Sequence, residues 1–202
     1  MINTIIFDFG NIFINIDAEI SLRALQKLGL PAWSNELDEL NHRFEKGKMN
    51  SEQFLIALQK HIPDASIDTI KSAWNQCVLE FPLARLEFLQ KIASQYRLFL
   101  LTNTDSIHIE AFENQVGPSF YSDFYQCFEK VYYSFEIRAR KPEPEAFNFI
   151  IQKHELSPKR TLFVDDTKKN TDVAQSLGLH VWNLNPATDD VTELFEKKII
   201  II

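Results

Sequence analysis

Residues 1–17, MINTIIFDFGNIFINID, contain the position from which the rest of the chain is read. Ile5, Ile6 and Phe7 form a short apolar run that ends on a carboxylate, Asp8, with Phe9-Gly10-Asn11 directly after it. An unbroken apolar run predicts a strand buried on both faces, the kind found inside a parallel sheet. An ionised aspartate at the end of such a strand is costly unless a cation or hydrogen-bond donors meet it. Open α/β sheets bind ligands outside the carboxyl ends of their strands. Asp8 is therefore a candidate catalytic or metal-binding carboxylate. The alternative is a turn aspartate, for which Gly10-Asn11 is suitable company.

Downstream the pattern changes twice. Residues 18–80 are helical in period and offer no strand. Ile20, Leu22, Leu25 and Leu28 make one apolar face that Gly29 and Pro31 stop, and a second helix is expected over 35–45, ended by Gly47. A third opens at Asn50 or Ser51, and a fourth, opening near Ser66 or Asp68, carries Ile70, Trp74 and Cys77. This block reads as a helical bundle inserted after the first strand. Beyond Pro82, helix and strand alternate, the signature of a doubly wound parallel sheet. Strands are expected at 98–101, 131–133, 161–164 and 180–182, with 116–126 as an aromatic loop punctuated by Gly117-Pro118. The division is a core of residues 1–17 and 81–202 with a helical cap of 18–80.

Composition narrows the partners. The 28 acidic residues against 21 basic give a net charge of −7, which argues against nucleic acid and anionic membrane. With 45% hydrophobic residues and 17 Phe, a packed core is expected. Cys77 and Cys127 have neither metal-ligand spacing nor a disulfide framework and read as small core hydrophobes in a reducing compartment. No basic leader precedes Asp8, and no run approaches the roughly 20 apolar residues of a membrane span. A cytoplasmic protein, monomer or homodimer, is the expectation. The terminal Ile199–Ile202 run adds a strand, buries against a partner or stays disordered.

Three of the apolar strands end on polar groups: Asp8, Thr102-Asn103 and Asp165-Asp166, with Lys141-Pro142 between the last two. Parallel strands bring these ends to one edge. Three carboxylates there repel one another unless countered, and Lys141 with a divalent cation supplies the counter-charge. Mg²⁺ suits such a site, because it takes one or two carboxylates, waters and a substrate phosphate. The Thr102 hydroxyl and the Asn103 N–H are placed to hold phosphate oxygens. Each piece alone also reads as a cap, a turn or a solvated loop.

The four pieces FDFGN, LTNT, RKPEP and FVDDTKKN together resemble the motifs of the haloacid dehalogenase-like phosphatase superfamily, across essentially the whole chain. Within it they look most like bacterial sugar-phosphate phosphatases of the α-D-glucose-1-phosphate phosphatase type. The resemblance implies a Rossmann-like α/β core with an inserted helical-bundle cap. It implies a Mg²⁺-dependent hydrolase of a small phosphorylated metabolite, with Asp8 as covalent nucleophile, the metal on Asp8, the Gly10 carbonyl and Asp166, and Lys141 pairing with the nucleophile. Asp165 either assists the metal through a water or orients Lys141, and Asn170 is either its partner or an exposed helix residue. Superfamily phosphatases usually carry a second aspartate, the acid/base, two residues after the nucleophile; here that residue is Gly10. Asp17 and His108 are the candidate replacements. The cap would set specificity, with Lys46 and Lys48 near Gly47 as substrate contacts. The missing acid keeps an alternative open: a catalytically weak protein of this fold that binds a phosphorylated ligand or a partner.

Overall fold

A computed structural model describes residues 1–200. Strands β1 (Thr4–Phe7), β2 (Arg97–Thr102), β3 (Lys130–Tyr133), β4 (Thr161–Asp165) and β5 (His180–Asn183) form one parallel sheet in the order β3-β2-β1-β4-β5. The apolar run at Ile5–Phe7 occupies its centre, where strand order reverses and ligands collect in folds of this kind. Phe7 pairs with Leu100 on one side and Val164 on the other. The next residue, Asp8, therefore stands level with Leu101 and Asp165, and its N–H donates to Val164 O at 2.9 Å.

Alternation along the strands feeds two cores. Ile5, Phe7, Leu98, Leu100, Leu162 and Val164 enter one face, while Ile6, Phe99, Leu101 and Phe163 enter the other. Between β1 and β2 lie helices α1 (Ala18–Lys27), α2 (Asn35–Glu45), α3 (Ser51–Gln59), α4 (Ile67–Trp74) and α5 (Leu83–Ile92). The first four share a separate apolar cluster, and the core domain contributes Ile107 to it. Their starts follow from capping: Asp17, Ser34, Asn50 and Ser66 each accept a backbone N–H of the first turn, and Asn50 with Gln53 completes a capping box. The chain enters and leaves this bundle through paired segments. Asn15 N donates to Glu80 O (2.9 Å), Leu79 N to Asn15 O (3.0 Å), and Ile16 bridges antiparallel to Val78.

After β2 come α6 (Ser106–Val116) and α7 (Pro118–Gln126). The aromatic loop expected at 116–126 is thus mostly helix. Pro118 occupies the first turn, where its missing N–H costs nothing, and aromatic residues follow at three- and four-residue steps. Phe124 from α7 stacks against Phe9 at 5.4 Å and meets Phe13 at the same distance, so α7 props the loop that follows Asp8. A one-turn helix, α8 (Ser134–Ile137), also unforeseen, follows β3; α9 (Pro144–Lys153) and α10 (Lys168–Ser176) cover the second face. Ile200 is buried in the first core and Ile199 packs against it; Ile201 and Ile202, the rest of the isoleucine run, lie outside the described residues.

The bundle is fastened to the core beside Lys141. Glu45 accepts from Arg140 Nε at 2.8 Å, and Lys46 pairs with Glu143. Between them and the core, Gly47 sits at φ +62, where a Cβ would lie 2.1 Å from the Phe135 carbonyl oxygen. Gly47→Ala has to displace backbone as well as adopt a left-handed conformation. It is expected to cost at least about 2 kcal/mol of stability, read from the midpoint of urea unfolding.

Candidate active site

Four loops at the carboxyl edge of the sheet build the site. Lys141, only 1% exposed, places Nζ 2.6 Å from Asp165 Oδ2 and 2.8 Å from Asp8 Oδ1. The first contact is an aligned hydrogen bond. The second is an ion pair by distance whose direction leaves Asp8 Oδ1, a buried oxygen, without a hydrogen-bond donor. Asn103 sets the lysine backbone: its side-chain oxygen accepts from Lys141 N (2.8 Å) and its amide donates to Lys141 O (2.7 Å).

Asp165 is fully engaged. Oδ1 accepts from Thr167 N (2.8 Å) and Asn170 Nδ2 (3.0 Å), and Oδ2 from Lys141 and the same Asn170 nitrogen (3.0 Å). Asn170 is accordingly a buried partner of Asp165 and not an exposed helix residue. Asp166 is turned differently. Its Oδ2 accepts from Asn11 Nδ2 (2.9 Å), and Asn11 can reach it because its backbone is left-handed, at φ +57. The sequence reading gave Asn11 no role, although an asparagine beside glycine is a residue type that tolerates that conformation.

Burial is the main influence on Asp8. It raises the carboxyl from 3.8 to about 7, Lys141 pulling the other way and Asp165 adding to the rise. For Lys141, burial opposes the charge, yet Asp165 and Asp8 more than offset it and hold the ammonium above its ordinary range. Asp8, Asp165 and Asp166 bring carboxylate oxygens within 4.8 Å of one another. This all-oxygen cluster, with a buried and donor-free Asp8 oxygen, fits a hard divalent cation.

Next to the cluster opens a cavity of about 420 Å³ between the helical bundle and the core. Gly10, Thr102, Asn103 and Thr104 line its floor, while Trp33, Asp38, Asn41, Glu45 and Trp74 line the bundle side. Asp38, Asn41 and Glu45 recur at three- and four-residue steps on α2, on a stripe that flanks buried Leu37 and Phe44. That periodicity was readable in the sequence but carried no chemical label. Lys46 and Lys48 are placed elsewhere. Lys46 is committed to Glu143, Lys48 is exposed, and both border a shallow depression beside His42 and Arg43. Both cysteines are half-buried rather than core residues, and Cys77 lies in the cavity wall.

Neither candidate replacement acid stands free. Asp17 caps α1 and lies outside the cavity lining, and His108 lines the cavity with both ring nitrogens against protein acceptors. At the position itself, a Cβ on Gly10 would meet the tip of the exposed Ile16 side chain, Cδ1, at 2.7 Å, so an aspartate there requires that tip to move aside.

A central parallel strand ending on a buried aspartate, with a lysine and paired aspartates converging on it, is the arrangement of a Rossmann-like α/β hydrolase. The chain is a member of the haloacid dehalogenase-like hydrolase family, whose model matches residues 2–178. Among its relatives is the D-ribitol-5-phosphate phosphatase of Bacteroides thetaiotaomicron, 28% identical over 96% of this chain and 97% of that protein. A haloacid dehalogenase family enzyme of the same bacterium, solved with magnesium and inorganic phosphate, superposes with a TM-score of 0.84 at 29% identity, covering 96% of this chain and all of that one (100%). A haloacid dehalogenase-like hydrolase of Porphyromonas gingivalis gives 0.79 at 27% identity, over 90% of each chain. No helix among the described residues is long and apolar enough to cross a membrane.

The raised Asp8 carboxyl has a consequence for stability in the absence of metal. Between about pH 4 and 7 the folded protein keeps a proton that the unfolded chain has released, so the stability this group contributes at the acid end is lost as pH rises through about 7. In chelator, Asp8→Asn is therefore expected to melt higher than the wild type at pH 8, and the gap should shrink as pH falls toward 5. Thermal melts across that range check it; a gap that widens on acidification would reverse the sign.

Proposed function

We propose that the protein is a Mg²⁺-dependent phosphomonoesterase acting on a small hydroxylated phosphate ester, a sugar or polyol phosphate, through an aspartyl-phosphate intermediate. The observation that carries this reading is Asp8 itself, with its buried carboxylate at the switch point of the sheet beside Lys141 and Asp166. The relative that acts on ribitol phosphate and the fold neighbour solved with magnesium and phosphate support it.

In this reading Asp8, Asp166 and the Gly10 carbonyl hold the metal, while Asp165, its oxygens already satisfied, orients Lys141. Mg²⁺, when bound, supplies positive charge against the incoming phosphate. Asp8 attacks phosphorus in line, the ester oxygen leaves, and water then cleaves the phospho-Asp8 bond. The Thr102 hydroxyl and the Asn103 N–H receive phosphate oxygens, and Lys141 balances charge on the nucleophile and the phosphate. Recognition of the hydroxylated remainder falls to Trp33 and to the Asp38, Asn41 and Glu45 stripe. Within that stripe, Asn41 Oδ1 is buried without a donor and suits a substrate hydroxyl. Substrate contact by Lys46 and Lys48 is dropped from the reading.

The test is hydrolysis of p-nitrophenyl phosphate with and without Mg²⁺. Turnover should vanish in Asp8→Asn and in Asp166→Ala. Lys141→Arg should lose activity almost as fully as Lys141→Ala, because the planar guanidinium is too wide for a slot bounded by two carboxylates and the Phe163 ring, 5.4 Å from Nζ. Wild-type protein without Mg²⁺-stimulated turnover of any phosphate ester would sink the proposal and favour a ligand-binding role.

The absence of an acid at Gly10 adds a kinetic expectation. A positioned acid/base is worth about 10²–10⁴ in rate, so kcat/KM should climb steeply as leaving-group pKa falls. With aryl phosphates, hydrolysis of phospho-Asp8 then limits turnover, and a burst of phenol should precede the steady rate. A leaving-group series and a rapid-mix time course measure both. A flat series would show that another group delivers the proton.

A further inference from the structure

The cavity wall carries a second set of ionisable side chains that the phosphatase reading leaves unused. Asp105 caps α6, its Oδ1 accepting from Ile107 N (2.8 Å) and His108 N (2.9 Å), and its Oδ2 from Trp74 Nε1 (3.1 Å). His108 Nδ1 lies 3.1 Å from that same Oδ2. On the other side of the ring, Nε2 lies 3.1 Å from the Trp74 carbonyl oxygen and 3.4 Å from Cys77 Sγ. Carboxylate and carbonyl oxygens can only accept, so a proton on each ring nitrogen satisfies both oxygens, whereas a neutral Nε2 would have to accept from Cys77 and face the Trp74 carbonyl. The Asp105 carboxylate favours the imidazolium form of His108. The Trp74 ring stacks on it at 5.1 Å and 10° from parallel, presenting a π face to the cation. Burial works against that charge, but Asp105, with Cys77 and the Trp74 carbonyl, raises the group to about 9.

Cys77 thus meets a fixed cation across a hydrogen-bond distance, in the wall of a cavity open to small molecules. An adjacent imidazolium stabilises the thiolate, the reactive form of cysteine, and Asp105 orients the histidine as the third member of such a group does. We propose that Cys77 is an activated thiol and a modification site for soft electrophiles and peroxides, and that its adduct fills the cavity beside the Thr102-Asn103 loop. With an alkyl iodide the sulfur–carbon bond forms as carbon–iodine breaks and iodide leaves, the thiol proton having gone to solvent. With a peroxide the sulfur–oxygen bond forms as oxygen–oxygen breaks and hydroxide leaves. Sulfur is oxidised by two electrons and the peroxide reduced by two.

The sulfur also lies 3.5 Å from the Trp74 carbonyl, the acceptor that a neutral thiol would use. Timed labelling of the native protein with iodoacetamide at pH 7, followed by peptide mass spectrometry, separates the two states. Cys127 serves as the internal reference, because burial and Asp123 hold its thiol above the usual range. Cys77 should label at least 10-fold faster; an equal or slower rate overturns the proposal without any variant being needed. In His108→Gln the Cys77 rate should fall at least 10-fold with the Cys127 rate unchanged, which also reports that the fold is kept. An unaltered Cys77 rate would remove the imidazolium from the account. Hydrolysis of p-nitrophenyl phosphate should decay with the rate constant of Cys77 labelling, and full activity at complete labelling would overturn the cavity-filling part. The activity arm rests on the phosphatase reading; the labelling arms do not, so the two can fail separately.

Discussion

One buried ammonium holds the site together. Lys141 sits between Asp8 and Asp165 with almost no access to water, and removing the lysine would leave two carboxylates facing each other in the interior without a counter-charge. Much of the surrounding structure serves to keep this triplet in register. Asn103 fixes the lysine backbone from the end of β2, while Thr167 just before α10 and Asn170 in its first turn fix Asp165. The central strand delivers Asp8 to the same level. Asp165 has two donors on each oxygen and Asp166 has fewer, so neighbouring aspartates of identical chemistry stand in different surroundings.

The helical bundle completes the site from above, through contacts with little in common chemically. On one side, ion pairs and the close approach at Gly47 fasten α2 to the loop that carries Lys141. On the other, Trp74 hydrogen-bonds to Asp105 and Ser51 to Ser106, joining α3 and α4 to the start of α6. The cavity lies between these attachments, so its width depends on how the bundle is seated. Its roof comes from α1, α2, α4 and the loop before α2, and its floor comes from the core.

How far all this could be read from the chain depended on range. Strand ends and stops are local, so Asp8, Thr102-Asn103, Lys141 and Asp165-Asp166 stood out as polar punctuation, and α2 was legible over 35–45 with Gly47 as its stop. The helix at Pro118–Gln126 was missed because Gly117-Pro118 reads equally as a loop or as a helix start, and only packing of Phe124 against Phe9 and Phe13 decides between them. Side-chain pairing across long separations was not legible. Asn11 reaches Asp166 across 155 residues and Asn103 reaches Lys141 across 38, and no spacing rule announces either. The lysines near Gly47 were misplaced for a related reason: position in a turn does not reveal that Glu143 has already claimed Lys46.

The entry and exit of the bundle run side by side, with Asn15 against Glu80 and Ile16 against Val78, as a short ladder of backbone hydrogen bonds. A closed ladder of that kind isolates what lies beyond it from the chain path of the sheet. Everything from residue 18 to residue 76 is, topologically, a single loop whose two ends already touch. A change of length or composition there leaves the crossovers of the sheet untouched, so the same catalytic edge can be given a different roof by editing one contiguous stretch of gene. The constraint falls instead on Ile16, which pairs in the ladder and also fills the space over Gly10. Any redesign of the roof has to keep that residue, or accept a change at the one place where an acid is missing.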